Sequence, residues 1–244
     1  MCGRYVATTP PSLLAERFGA DEVVDEDEAG EAASARWNVA PTTKVWALAT
    51  SRSSGTRRLG PFRWGLVPNW AKDPSVGNRM INARVEKLRT GAAYKRALQR
   101  RRCIVPADAF YEWRRGPSGR GRSQPFLIRR RDGEPMAFAG LWDLWRPPDD
   151  PEAHPLRSCT IITTEADELV GRVHDRMPVM LSRARWEGWL DPGNEDLDVV
   201  SGLLVPTAAE ELEMFPVGPE VNDVRNDSPE LALPLEGHGP GGPG

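Results

Sequence analysis

Three cysteines and three histidines in 244 residues leave little material for metal or disulfide chemistry. The cysteines, Cys2, Cys103 and Cys159, form neither a CxxC pair nor an even framework. That argues against structural zinc and for a reducing compartment. No apolar run approaches the ~18 residues of a membrane span, and no charged start followed by an apolar segment marks a leader. The expectation is a soluble cytoplasmic protein with no membrane partner, large enough to bury a core without disulfides. A formal net charge of -3 is no signature of a nucleic-acid binder. The charge is segregated, however. Acids crowd Asp21 to Glu31, whereas bases crowd Arg84 to Arg102 and Arg114 to Arg131. A basic face on an acidic protein is still a site for a polyanion, although charge runs are more often solvated surface.

What is present reads mainly as strands. Cys2 to Ala7 alternates like a strand, and Thr9, Pro10 and Gly19 read as the cap, start and stop of a helix. Asp21 to Glu31 reads as a loop or insert. Strands are expected over Val45 to Thr50, Arg58 to Leu66, Cys103 to Val105, Ala109 to Trp113, Pro125 to Arg130, Met136 to Leu141, Arg157 to Thr164, Met177 to Leu181 and Leu212 to Val217. Asp132-Gly133 is a hairpin signal. Helices are expected over Ala92 to Arg101, Glu165 to Val173, and from Ser182 to about Leu190; Gly116 to Ser123 reads as a flexible basic loop. The class is α+β, with a mainly antiparallel, barrel-like sheet core and peripheral helices, in one domain over 1–235 followed by a Gly/Pro-rich disordered tail, 236–244.

Four residues could carry chemistry. Once Met1 is removed, Cys2 bears a thiol and a free α-amine, with ordinary pKa values of about 8.5 and 8. That pair can attack a carbonyl as an amine-activated thiol, or condense with an aldehyde to a thiazolidine. His174, at the end of an expected helix, could exchange protons near neutral pH or simply cap the helix. Glu112, in Phe-Tyr-Glu-Trp, is either a carboxyl whose pKa is raised among aromatics or a strand glutamate paired with an arginine. Asn82, followed on one face by Arg84, could orient an oxygen intermediate or cap a helix. The tryptophan-rich loops around Trp37-Asn38-Val39-Ala40-Pro41 and Trp64 to Trp70 could stack unpaired bases or belong to the core.

Six segments in order, Met1-Cys2-Gly3-Arg4-Tyr5, Trp37 to Pro41, Arg63 to Pro68, Ile81 to Arg84, Phe110 to Trp113 and His174 to Pro178, resemble the SRAP (SOS response-associated peptidase) family over nearly the whole chain. The resemblance implies a sensor of abasic sites in single-stranded DNA that cross-links to them through Cys2 and shields the lesion, acting as a monomer, nucleoid-associated when bound, with no metal or organic cofactor. It implies Cys2 as nucleophile, Asn82 as orienter, Glu112 as acid/base and His174 as proton shuttle. Arg4, Asn38, Pro41, Trp70, Arg84, Thr163 and Arg176 would touch DNA. Incision of the strand at abasic sites (lyase activity) and autoproteolytic removal of Met1 come with it. Ala71 stands where some members carry a second aromatic. Competing readings are an amidotransferase or cysteine peptidase using Cys2, and a non-covalent single-stranded DNA-binding module.

Overall fold

The computed structural model describes residues 2–114, 123–205 and 209–236. The expected basic loop, Gly116 to Ser123, lies outside them except for Ser123, as does the expected tail beyond Glu236. In chain order the first strands are β1 (Tyr5–Ala7), β2 (Glu22–Val23), β3 (Arg36–Val39), β4 (Lys44–Thr50), β5 (Arg57–Trp64) and β6 (Asn82–Arg84). They are followed by β7 (Arg102–Ala107), β8 (Ala109–Arg114), β9 (Gln124–Arg130), β10 (Met136–Trp145), β11 (Leu156–Glu165), β12 (Arg176–Pro178) and β13 (Leu212–Pro216). The helices are short: α1 (Pro11–Phe18), α2 (Glu26–Ala29), α3 (Lys95–Arg100), α4 (Arg183–Leu190) and α5 (Leu197–Gly202).

Five strands close on themselves. β4 pairs with β5 and β7, β7 with β10, and β10 with β11, all antiparallel. The ring is sealed by a parallel contact in which Ser158 and Cys159 of β11 oppose Arg63 and Trp64 of β5. A second sheet, in the order β13-β9-β8-β1-β3, packs against this barrel. The expected α+β class with a barrel-like core is therefore what the chain forms.

Strand alternation explains the layering. Val45, Ala47 and Ala49 of β4 point into the core shared with Tyr5, Phe110 and Ile128 of the second sheet, while Trp46 and Leu48 face outward. That outward side is covered by Leu14 and Phe18 of α1, Leu98 of α3, Trp189 of α4 and Val200 of α5. Inside, Tyr5 meets Trp64 edge-on at 5.3 Å and Phe138 at 6.3 Å. Each such aromatic pair adds about 1 kcal/mol beyond the area it buries.

Several sequence expectations are corrected. Helix α1 begins at Pro11, and Thr9 does not cap it: its hydroxyl and amide both donate to Asp108. The acidic stretch is ordered rather than a loose insert, because Val24, Ala29 and Ala32 are buried against the barrel. Asp132-Gly133 makes no hairpin. Only Gly133 has positive φ, and β9 and β10 belong to different sheets. The expected helix over Glu165 to Val173 shrinks to a 3-10 turn at Val170–Arg172, since β11 continues through Glu165. Lys95–Arg100 is shorter at its start than the expected helix.

The loop between β5 and β6 leaves and rejoins one edge of β11. Trp64 lies opposite Cys159, and Asn82 opposite Ile161. Its neck is tight: Gly65 has φ +130, and a side chain there would lie 2.5 Å from the Gly77 carbonyl. Only glycine tolerates both conditions.

Candidate functional site

Cys2 is held from three directions. The Tyr111 amide donates to the Arg4 carbonyl at 3.0 Å, extending the β1–β8 pairing toward the terminus. The Asn82 amide nitrogen donates to the Cys2 carbonyl at 2.8 Å, tying residue 2 to the edge of β11 through β6. The Arg4 guanidinium donates to Asn38 Oδ1 at 3.0 Å and to the Val221 carbonyl at 2.9 Å. Cys2 itself is fully buried in the core between the sheets. Burial pushes its thiol pKa well up, and the nearby Glu112 carboxylate pushes it further. A thiol so placed is protonated and weakly nucleophilic.

Glu112 sits on β8 with Phe110 on its own face and Tyr111 and Trp113 on the other, as alternation requires. Burial raises its pKa from the ordinary 4.5 to about 7, with a smaller upward push from Asp175. That range suits a group that must both give and take a proton near neutrality. Asp175 adjoins His174, its side chain 3.0 Å from Nδ1. Val170 and Val173, on the turn that precedes His174, share the core that encloses Cys2.

His174 ends no helix of the expected length; it follows the 3-10 turn. Its Nδ1 accepts the Arg176 amide at 2.9 Å and lies 3.0 Å from Asp175 Oδ1. These contacts require different protonation states. The fixed backbone donor selects a lone pair on Nδ1, since the Asp175 side chain is exposed and can turn away. Nε2 then carries the proton in the neutral ring.

The other residues divide into three groups. Arg84 is exposed on β6 directly opposite Thr163 of β11. Thr163 is buried, with Oγ1 lacking a hydrogen-bond partner among the described residues. Arg176 donates to the Thr163 carbonyl at 2.8 Å and forms a two-pronged pair with Glu86 at 2.7 and 3.0 Å. These three form one cluster at the rim. Trp70 stands 62% exposed at the tip of the glycine-necked loop. Ala71 beside it is buried, and its carbonyl accepts the Trp145 indole at 2.7 Å. Pro41 is half-buried in the turn before Thr42, whose φ is +74. Asn38 faces inward: it is fully buried and its Nδ2 donates to the carbonyls of Val221, Asp223 and Asn226. A nucleic-acid contact at that position would run through Arg4, which Asn38 orients.

Much of the basic character is neutralised within the fold. Arg89 pairs with Asp198, Arg100 with Glu195, Arg101 with Asp143 and Arg129 with Glu213. Arg102 is buried and donates to the carbonyls of Trp189, Leu98 and Gln99. Sequence reading missed Glu86 and Asp108 because each acts through a partner distant in the chain, Arg176 and the Thr8-Thr9 pair. Asp108 alone left a signal, in the Thr8-Thr9 pair that it binds. Among the described residues, no three His, Cys, Asp or Glu side chains are grouped so as to hold a metal ion, and no helix is long and apolar enough to cross a membrane.

The barrel thus buries Cys2 beside a carboxyl of raised pKa, with the Asn82 amide on its carbonyl. Residues 1–224 match the family described as SOS response associated peptidase (SRAP), and the chain belongs to that family. It is 40% identical to the abasic site processing protein YoqW of Bacillus subtilis, over 98% of this chain and all of that one. It is 39% identical to the abasic site processing protein YoaM of the same organism, over 98% of this chain and all of that one. A crystal structure of a protein from Bacteroides thetaiotaomicron shares the fold, with a TM-score of 0.82 at 21% identity, covering 96% of this chain and all of that one.

Proposed function

We propose that this chain recognises abasic sites in single-stranded DNA and captures them covalently through Cys2 after Met1 is removed. The observation that carries the reading is the convergence on Cys2 of the Asn82 amide and of a Glu112 carboxyl titrating near 7. The names of the 40% and 39% identical relatives support the lesion as substrate.

While Met1 is attached, the Cys2 nitrogen is a peptide amide and the thiol is protonated, so neither group reacts. Removing Met1 creates an α-amine at the position fixed by the Asn82 hydrogen bond. The open-chain abasic sugar presents an aldehyde. The amine adds to its carbon, giving a carbinolamine; protonated Glu112 delivers a proton to the hydroxyl, and water leaves to give an iminium. The Cys2 sulfur then adds to the same carbon and its proton passes to Glu112, closing a thiazolidine. One water is released and no electrons are exchanged with an outside reagent. His174, presenting a protonated Nε2, is suited to relay protons on the strand side. Arg84 and the Arg176 cluster would hold phosphates, and Trp70 would support a displaced base. The lyase activity would draw on the same amine and on Glu112, whereas Met1 removal, which liberates that amine, would draw on groups already present, Glu112 and His174.

The test is to mix the mature protein with uracil-containing single-stranded DNA treated with a glycosylase. An adduct stable on denaturing gels is expected, and Cys2→Ala should form none. Adduct formation by Cys2→Ala at the normal rate would reject the mechanism. Binding without an adduct would favour the non-covalent module.

A further inference from the structure

The barrel has a second mouth. Going from the Cys2 end, β4 runs from Lys44 to Thr50, β10 from Met136 to Trp145, and β11 back from Thr163 to Arg157. Arg157 and Thr163, six residues apart on one strand, are separated by about 20 Å. At the far mouth lies a cleft of about 530 Å³. Its lining includes Arg52, Arg58, Arg96, Arg100, Arg101 and Arg157, and no carboxylate.

Charge at this cleft is unbalanced. Glu195 serves both Arg52 and Arg100, Glu28 serves both Arg58 and Arg157, and Asp143 serves Arg101. Among the described residues, three carboxylates therefore face six guanidiniums, leaving an excess of three positive charges, and Arg96 is exposed. The crowding is felt at Arg101, whose pKa is lowered by burial and then by Arg96.

Aromatic surface adjoins the charge. Trp142 and Phe62 line the cleft and meet edge-on at 5.8 Å, and Arg101 stacks over the Trp142 ring at 5.5 Å. Two polar atoms of lining residues, Thr50 Oγ1 and Trp142 Nε1, are buried without a hydrogen-bond partner among the described residues. Both can donate. Donors left unsatisfied beside surplus cations call for an acceptor-rich anion, and the half-buried Trp142 ring gives a flat base a surface to stack on. The volume suits one small ligand.

We infer that this far mouth is a nucleotide-binding site, taking a phosphate on its arginines and a base against Trp142, separate from the Cys2 site. The nucleotide is either free or a unit of a DNA strand running round the barrel. Isothermal titration of the full chain distinguishes these, using deoxyadenosine monophosphate, inorganic phosphate and an undamaged thymidine pentanucleotide as probes. Deoxyadenosine monophosphate should bind at least tenfold more tightly than inorganic phosphate. The double variant R96A/R157A should weaken that binding tenfold or more, whereas Cys2→Ala should leave it intact. Loss of pentanucleotide affinity in R96A/R157A without any mononucleotide binding would support the strand form. The inference is overturned if neither deoxyadenosine monophosphate nor the pentanucleotide binds the wild type, or if R96A/R157A, folded by circular dichroism, binds both of these as well as wild type.

Discussion

Replacing Glu112 with glutamine should stabilise the fold at alkaline pH while impairing function. Burial raises the Glu112 pKa from 4.5 to about 7, so the folded chain holds this proton more tightly than the unfolded chain. The stability it contributes is fully present below pH 4.5 and is lost as pH rises through 7. At about 1.4 kcal/mol per tenfold change in proton affinity, ionising the buried carboxyl costs the fold about 3 kcal/mol by pH 8. Glutamine has nearly the same shape and never ionises. Glu112→Gln should therefore unfold at the same urea concentration as wild type near pH 4.5 and at a markedly higher one at pH 8. The same variant should slow covalent capture by a factor of about a hundred or more and lose the limb of the pH–rate profile near 7. A Glu112→Gln protein no more stable than wild type at pH 8 would mean that Glu112 is not desolvated in the way the fold implies. Equal losses of capture rate and of DNA affinity would reassign the residue to structure.

Three further outcomes follow from the same geometry. Asn38→Ala removes the donor serving three carbonyls and the acceptor for Arg4, and should cost at least ~2 kcal/mol in urea melts, with weaker DNA binding as a secondary effect. Trp70→Ala should leave the melting curve unchanged, because the ring is largely exposed, yet weaken single-stranded DNA binding by about 1–3 kcal/mol in a fluorescence titration. Thr163→Val, which removes a buried hydroxyl lacking a partner among the described residues, should alter stability by less than about 1 kcal/mol. A larger loss would show that the hydroxyl is satisfied in solution.

The strands were legible because their apolar alternation survives the fold: β4, β8 and β13 lie within a residue or two of their expected limits. Local signals failed where a distant partner decided the outcome. Asp132-Gly133 has hairpin chemistry, yet its flanking strands find other neighbours, and β11 takes Glu165, the first residue that read as helix, because β12 offers it a ladder partner in Arg176. The acidic stretch looked solvated by composition, but three small apolar residues at Val24, Ala29 and Ala32 were enough to pin it. At the site, Cys2, Asn82 and Glu112 were visible as residues of unusual chemistry. Their convergence was not, since it depends on β6 and β8 arriving at residue 2 from opposite sheets. The arginine runs misled most, because their partners Glu195, Asp198 and Glu213 lie roughly 80 to 110 positions away.

The seam of the barrel separates what must stay constant from what can change. Residues 65–81 depart from β11 at one rung and return two rungs later, with Leu66 donating to the Met80 carbonyl across the neck. Each foot of the excursion is registered on the same strand independently of the path between them. Segments of other lengths or sequences could be exchanged beyond the neck without shifting Asn82 relative to Cys2. On the proposed function, the loop bearing Trp70 would be an interchangeable reading head on a fixed reaction centre, and strand preference could diversify while the chemistry at Cys2 is left alone.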